Sequence, residues 1–249
     1  MFGSFLRAGL LAGALAYAVA SPSAWAEGIT FTVNPGVVGA PQSSFTANVV
    51  DFSYSATVNQ QAPGGVCSIA IPCTFQESGN VSFSQFRDGF LTPIVNDGLN
   101  ESPGYSLTAR FTGSGTAIPF GGTGIVANFS DFKIDMFANG AHVGTSTNLI
   151  AGQAHVFGPD LARGDFHVVV GFEPVGGFFS GPFVLGLNVA DFAGNNFNIS
   201  GVGPGAFTEA TIEGSGQMAL NVIPEPTSLL LLGSGLAGLG LLRRRFQGI

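Results

Sequence analysis

The sequence predicts an all-β fold, an antiparallel β-sandwich of jelly-roll type, and three observations support this. Between residues 27 and 222, apolar and polar residues alternate with a period of two, and no stretch sustains a helical period. The chain contains 38 Gly and 14 Pro, which divide it into short segments. Asn-Gly, Asp-Gly and Gly-Gly pairs recur between the segments. Many short strands joined by such turns are typical of a sandwich.

Five segments show the alternation most clearly, and each is a predicted strand with one buried face. In residues 131–137, Phe132, Ile134 and Met136 alternate with charged residues, which is the clearest amphipathic pattern in the chain. The five segments are 52–58, 105–111, 131–137, 166–172 and 218–222.

The turn between two of these strands can be predicted in detail. Asn139-Gly140 favours a two-residue type I′ hairpin, because both central residues need a positive φ. Such a loop would pair Phe137 with His142 and Met136 with Val143. By contrast, residues 174–182 carry Gly-Gly and Phe-Phe pairs between two prolines and are predicted to form a long exposed loop.

The N-terminal residues 1–26 are predicted to be a secretory signal peptide. Arg7 supplies a positive charge, residues 10–20 form an apolar run, and Ala24-Trp25-Ala26 provides small residues at Ala24 and Ala26 for cleavage. The alternative is an uncleaved anchor, which the short apolar run disfavours. The mature domain would then span 27–222.

The C-terminal residues 223–249 contain three features in order: Pro224-Glu225-Pro226, an uncharged apolar run over 227–242, and the cluster Arg243, Arg244 and Arg245. Two prolines keep the first segment extended. The apolar run predicts a short transmembrane helix of about 24 Å at 1.5 Å per residue. The arginines orient its C-terminus towards the cytoplasm.

This order resembles the PEP-CTERM sorting signal of Gram-negative bacteria. The resemblance implies that an exosortase, a membrane-embedded enzyme, recognises Pro224, Glu225 and Pro226. It also implies that the protein is held transiently in the inner membrane, loses its tail, and reaches the cell surface or the extracellular exopolysaccharide matrix. The alternative is an ordinary membrane anchor with incidental prolines.

The charge and the aromatic composition limit the classes of partner that the mature domain can bind. It contains 14 acidic and 4 basic residues, a formal charge of about −10. Nucleic acids and anionic membrane surfaces are therefore excluded as favoured partners. The single tryptophan, Trp25, lies in the signal peptide, and most aromatic residues are Phe. This inventory indicates core packing rather than a dedicated sugar-binding cleft.

Cys67 and Cys73 predict one disulfide bond. They are the only cysteines of the sequence, they are closely spaced, and the protein is predicted to be exported. A bridge across so short a loop stabilises by about 2 kcal/mol in the chain-entropy model. Its expected role is to pin a loop between strands.

The sequence contains no pattern that indicates an enzyme or a bound cofactor. His142, His155 and His167 lack zinc-site spacing, and neither a nucleophile elbow nor a phosphate-binding loop is present. Asp97, Asn100 and Glu101 share a Gly-containing loop whose oxygen atoms could bind calcium, although Asp-Gly with Asn is also ordinary turn chemistry.

A second set of features resembles flocculation-associated PEP-CTERM proteins. It includes residues 29–33, Phe75-x-Glu77-x-Gly79, residues 98–107 and Gly214-x-Gly216. The resemblance implies a matrix protein that promotes cell aggregation. The sequence thus predicts a non-enzymatic structural or adhesive protein. The alternative is a polysaccharide-binding module, with or without calcium.

Overall fold

The computed structural model describes residues 30–62, 67–120, 124–157, 163–180, 183–198 and 209–222. The described chain forms antiparallel strands and one short 3-10 helix, Pro35–Val38, so the predicted all-β class is confirmed. The strands are β1 (Phe31–Val33), β2 (Phe45–Ala47), β3 (Val49–Gln61), β4 (Cys73–Arg87), β5 (Leu107–Phe120), β6 (Gly124–Ala138), β7 (Ala141–Phe157), β8 (Arg163–Pro174), β9 (Phe179–Ser180), β10 (Phe183–Asn198) and β11 (Glu209–Val222).

The predicted jelly-roll sandwich is wrong, because eight strands close into one barrel. Their order is β10-β11-β3-β4-β5-β6-β7-β8, and β8 pairs with β10 to complete the ring. Sequence neighbours pair as hairpins, and the first and last barrel strands meet along β3–β11, where Thr57 lies opposite Thr211. The barrel strands have 12 to 17 residues, longer than the short strands predicted. Closure removes the free edges that a sandwich leaves.

A polar cluster on the outside reinforces the seam where the barrel closes. The Arg87 Nε donates a hydrogen bond to Asp51 Oδ2 at 2.6 Å, and the Gln217 Nε2 donates to Asp51 Oδ1 at 3.0 Å. These contacts join β4, β3 and β11. The carboxylate of Asp51 therefore accepts hydrogen bonds from both neighbouring strands.

The alternating pattern of the sequence places apolar side chains inside the barrel. On β3, Phe52, Tyr54, Ala56 and Val58 are buried, whereas Ser53 and its alternate neighbours face outwards. The same arrangement holds for the predicted apolar faces of β5, β6 and β8. An eight-stranded barrel has an interior that side chains can just fill. The Phe-rich composition therefore forms the core, as predicted.

One end of the barrel is closed by a separate small sheet, and we call it the capped end. Here β1 pairs with β2 and β9 in the order β2-β1-β9. Phe178 and Phe179 are 0% and 2% exposed. Residues 174–182 are therefore not simply the exposed loop that was predicted. The paired Phe residues turn inwards and pack at 4.8 Å between ring centroids, because the cap has apolar surface to cover.

The Asn139-Gly140 hairpin lies at the capped end and matches its prediction with one difference. Asn139 and Gly140 have φ of 48° and 79°, and Phe137 lies opposite His142. Met136 lies opposite Gly144 instead of the predicted Val143. The cause is a register shift just beyond the turn, which adds one residue to β7.

The predicted signal peptide 1–26 and the predicted tail 223–249 lie outside the described residues. Among the residues that the structure describes, no helix has the length and apolar character needed to cross a bilayer.

Candidate functional site

The end of the barrel opposite the cap contains an apolar cavity, and we call it the cavity end. It has a volume of about 60 Å³. Nearly all of its lining is apolar, with side chains from β3 to β8 and from β11. The lining residues are Val58, Gln60, Phe75, Glu77, Ala117, Ile125, Ala127, Phe129, Ala154, Val156, Phe166, Ala210 and Ile212.

Glu77 is the one acidic residue among the described residues of this lining. It is 8% exposed and lies on the inward face of β4, in the same alternation as Phe75 and Val81. Burial raises the pKa of its carboxyl group from 4.5 to about 8. The structure shows no hydrogen bond or ion pair from this carboxyl group to another described residue. At neutral pH Glu77 is therefore mostly protonated, with a hydroxyl group that can donate.

Tyr54 is a second polar group inside the barrel, and it lies close enough to Glu77 for a charge on that carboxyl group to affect the pKa of its hydroxyl. Burial raises the pKa of the Tyr54 hydroxyl far above its usual range, and the charge of Glu77 adds to the effect. The hydroxyl oxygen is buried and has no hydrogen-bond partner among the residues that the structure describes. The ring packs edge-on against Phe166 at 5.3 Å. The Glu77 carboxyl and the Tyr54 hydroxyl are thus two potential donors inside the barrel, and no described residue accepts a hydrogen bond from Tyr54.

Glycine on β5 makes room for the aromatic wall of the cavity. Gly113 lies directly opposite Glu77, and a Cβ atom at this position would come within 2.8 Å of the Phe129 ring. A larger residue would therefore displace Phe129, which packs edge-on against Phe75 at 5.2 Å. The absent side chain lets this ring lie over the strand.

The predicted disulfide bond between Cys67 and Cys73 is confirmed, and it lies at the cavity end. It joins the start of β4 to the connection from β3, with the two Cα atoms 5.1 Å apart. The Cys67 sulfur lies 3.7 Å from Gln60 Oε1. A disulfide sulfur carries no proton, so this approach is a contact rather than a hydrogen bond. The bridge thereby packs beside the polar edge of the cavity.

The outer surface of the same strands carries a polar groove of about 280 Å³. Hydroxyl and amide groups dominate it, together with one carboxylate. The residues are Asn59, Gln76, Glu77, Ser78, Thr112, Gly113, Ser114 and Asp131. Because Glu77 and Gly113 face inwards at this level, their backbone forms the floor of the groove.

In the loop of Asp97, Asn100 and Glu101, which the sequence left open between calcium binding and turn chemistry, two of the three side chains make local hydrogen bonds. Asp97 is buried and accepts a hydrogen bond from the Leu99 amide at 2.9 Å, and the Asn100 amide donates to the Phe83 carbonyl at 2.8 Å. Burial raises the pKa of Asp97. Within the described ranges, no group of three or more acidic, His or Cys side chains could hold a metal ion.

The three histidines do not come together. His142 lies 3.5 Å from Asp135, and His155 Nδ1 lies 2.8 Å from Asp165 Oδ1 in a cross-strand pair of β7 and β8. His167 is half-buried, and burial lowers its pKa. All three histidines thus occupy partly exposed strand positions on β7 and β8.

Sequence reasoning did not identify the cavity. It listed Glu77 only within a family resemblance, and the available indication was an acid at an inward position of the β4 alternation. Pro224, Glu225, Pro226, the arginine cluster and the alanines Ala24 and Ala26 lie outside the described residues.

Comparison with known families identifies the C-terminal segment. Residues 222–245 match the model of the PEP-CTERM protein-sorting motif. The predicted sorting signal is therefore confirmed, and it implies an exported protein that is anchored in the membrane before an exosortase processes it. No curated protein matches the chain significantly. The motif match covers only the tail, so the role of the barrel must be inferred from the barrel's own residues.

Proposed function

We propose that the barrel is a non-enzymatic structural or adhesive component of the cell surface or the exopolysaccharide matrix of a Gram-negative bacterium. The observation that carries this proposal is the sorting motif at residues 222–245, which directs an exported protein to exosortase processing. The floc-forming role that the sequence resemblance implies is one form of the same activity.

The outer face of the barrel supports contact with a hydrated polymer. On β3, β4 and β5 the outward positions are mainly Ser, Thr, Asn and Gln. These groups can exchange hydrogen bonds with sugar hydroxyls, and each bond contributes only about 0.5–1.5 kcal/mol net. Adhesion would therefore come from many weak contacts along a chain and from many copies of the protein.

The position of the tail constrains how the barrel meets the processing enzyme. The last barrel strand remains paired up to Val222, opposite Phe183, and Pro224 follows two residues later. At about 3.3 Å per residue, the motif begins within roughly 7 Å of the strand end. The strand ends at the capped end, so the anchored barrel would direct this end towards the membrane and its cavity end away from it.

The sorting step can be tested by replacing Pro224, Glu225 and Pro226 with alanine. We expect the variant to keep its full tail and to remain in the inner membrane, as judged by intact mass and cell fractionation. A matched control replaces Thr227 and Ser228, just after the motif, and should be processed normally. A trimmed motif variant at the cell surface would contradict the assignment.

The matrix role can be tested by co-sedimentation of the processed protein with exopolysaccharide from its host. Loss of the Gln76, Ser78 and Thr112 side chains in the outer groove should weaken binding only slightly, because many weak contacts share the adhesion. Replacement of Asn128 and Gln153, which pair on another outer face, should have an equally small effect. A several-fold loss confined to the groove variant would favour a polysaccharide-binding module instead. No co-sedimentation of the unaltered protein, and no change in cell aggregation on its deletion, would contradict the proposal.

A polysaccharide-binding module is the second candidate, and the outer groove favours it. The groove provides hydroxyl, amide and carboxylate groups together, the chemistry that would hold one sugar segment. This candidate predicts saturable affinity for one defined polysaccharide and loss of that affinity with a chelator. The structural role instead predicts weak, chelator-insensitive association.

A further inference from the structure

We propose that the cavity end of the barrel binds a small uncharged apolar molecule through one hydrogen-bond acceptor, such as a ketone or ester oxygen, which faces the Glu77 carboxyl group. The occupant is either a short molecule or the terminus of a longer one. This inference is independent of the matrix role.

The shape and chemistry of the cavity argue for an apolar occupant. Its volume of about 60 Å³ exceeds the roughly 10–15 Å³ that one water requires, and its walls are almost entirely alanine, aliphatic and phenylalanine side chains. A water molecule needs two to four polar partners, and the described lining provides only the Glu77 and Gln60 side chains. A ligand with an apolar body makes more favourable contacts with these apolar walls than water does.

Glu77 explains why the occupant should carry an acceptor. An unpartnered carboxyl group inside a barrel destabilises the fold by about 1–3 kcal/mol, and leucine at the same inward position would avoid this cost. In the protonated state the group offers a hydrogen that no described residue accepts. A carbonyl oxygen placed beside it would accept that hydrogen and remove the penalty on binding.

The surroundings of Glu77 also disfavour a charged occupant. The elements packed around it contribute Tyr54 from β3, Gly113 from β5, Phe129 from β6, Phe166 from β8 and Ile212 from β11. Among these described residues only Tyr54 titrates, and none is basic, so a carboxylate ligand would find no cation. An ammonium ligand would require an ionised Glu77 in apolar surroundings, with an ion-pair geometry that the walls do not support.

The test uses the processed protein and three probes of equal chain length: 2-butanone, butylamine and butyrate. Saturation-transfer NMR at pH 6.5 should show binding of 2-butanone and none of the two ions. Above pH 8, affinity for the ketone should fall about tenfold per pH unit, because the ionised carboxylate no longer donates. The Glu77→Gln variant keeps an N–H donor, so it should retain binding and lose this pH dependence.

Two further variants separate the cavity from the outer surface. Ala154→Leu fills the cavity and should abolish ketone binding, whereas Ser55→Leu, on the outward face of β3 beside Tyr54, should leave it unchanged. Glu77→Leu removes the hydrogen-bond donor but keeps Ala154, so the cavity is not filled from that side. This variant should reduce ketone affinity at least tenfold. Preferred binding of butylamine, no binding of any probe, or ketone binding that survives both Ala154→Leu and Glu77→Leu would overturn the proposal.

Discussion

The capped end and the cavity end are built from the same strands, but their interiors are filled differently. At the capped end Phe31, Phe86 and Phe179 are at most 2% exposed and lie in one network of edge-on and tilted ring contacts. At the cavity end, the walls include four alanines and leave about 60 Å³ unfilled around a buried acid. Three phenylalanine rings, Phe75, Phe129 and Phe166, border this space.

This difference shows two uses of one barrel interior. Close packing of large rings gives the capped end the dispersion contacts and apolar burial that stabilise a fold. At the cavity end, small wall residues and a carboxyl group without a partner among the described residues contribute less of that stabilisation. Natural proteins retain such costs mainly where function requires them, which is the reason to look for a ligand at this end.

The largest expected effect comes from removing a capped-end ring. Phe86→Ala should lower the free energy of unfolding by about 3–5 kcal/mol, because Phe86 is fully buried against Phe31 and Phe45. The same change at Phe129 should cost clearly less, since this ring is only partly buried and already borders a cavity. Urea denaturation of the two variants measures both losses of free energy of unfolding. Equal losses would contradict the difference in packing between the two ends.

The second effect is a pH dependence that originates at the cavity end. The pKa of Glu77 is about 8 in the barrel, against 4.5 for an exposed Glu. Below pH 4.5 the group is protonated in both states, so the barrel carries no cost of an ionised buried carboxylate and the pH-dependent part of its stability is fully present. Between pH 4.5 and 8 the unfolded chain releases the proton while the barrel retains it, and stability should fall by several kcal/mol.

The Glu77→Gln variant should lose most of this slope in denaturation measured from pH 5 to 9. Asp97→Asn at the capped end is the matched control. The pKa of Asp97 is also raised by burial, but its carboxylate accepts a hydrogen bond from Leu99, so the slope should change less. A Glu77→Gln variant with an unaltered slope would show that Glu77 is not the buried titrating group.

The disulfide bond should contribute about 2 kcal/mol, since it closes a loop with a sequence separation of 6. Replacing Cys67 and Cys73 with serine should lower the midpoint of thermal unfolding. The unaltered protein in reducing buffer should show the same shift, which provides the control. Because the bridge borders Gln60 at the cavity end, the double variant should also weaken 2-butanone binding if the cavity is the site.

The smallest expected effect lies at the hairpin of the capped end. Asn139 has a positive φ, and its side-chain oxygen accepts a hydrogen bond from the Ser106 amide at 3.0 Å. Asn139→Ala should cost about 1 kcal/mol through lost bonding and backbone strain. Ketone binding should be unchanged, since this turn lies at the end opposite the cavity. A parallel loss of binding would show that the two ends are coupled.

Local patterns allowed the strands to be predicted, and parts of the site with them. The alternation around Tyr54, Ile134 and Val168 correctly identified inward faces, since successive side chains of a strand point to opposite sides. The Cys67–Cys73 bridge and the Asn139-Gly140 turn also followed from short-range chemistry. The register shift beyond this turn did not, because a bulge depends on packing around the hairpin.

The sequence alone determined the all-β class, the buried faces, the disulfide bond and the sorting motif, because each depends on residues within a short distance along the chain. Closure of the sheet into a barrel is visible only in the tertiary structure, since strands of a sandwich and of a barrel share the same alternation of apolar and polar residues. Closure rests on the pairing of β3 with β11, which are more than 100 residues apart in sequence. The same closure brings Glu77 of β4 together with walls from β6, β7 and β11, so the cavity exists only in the folded barrel.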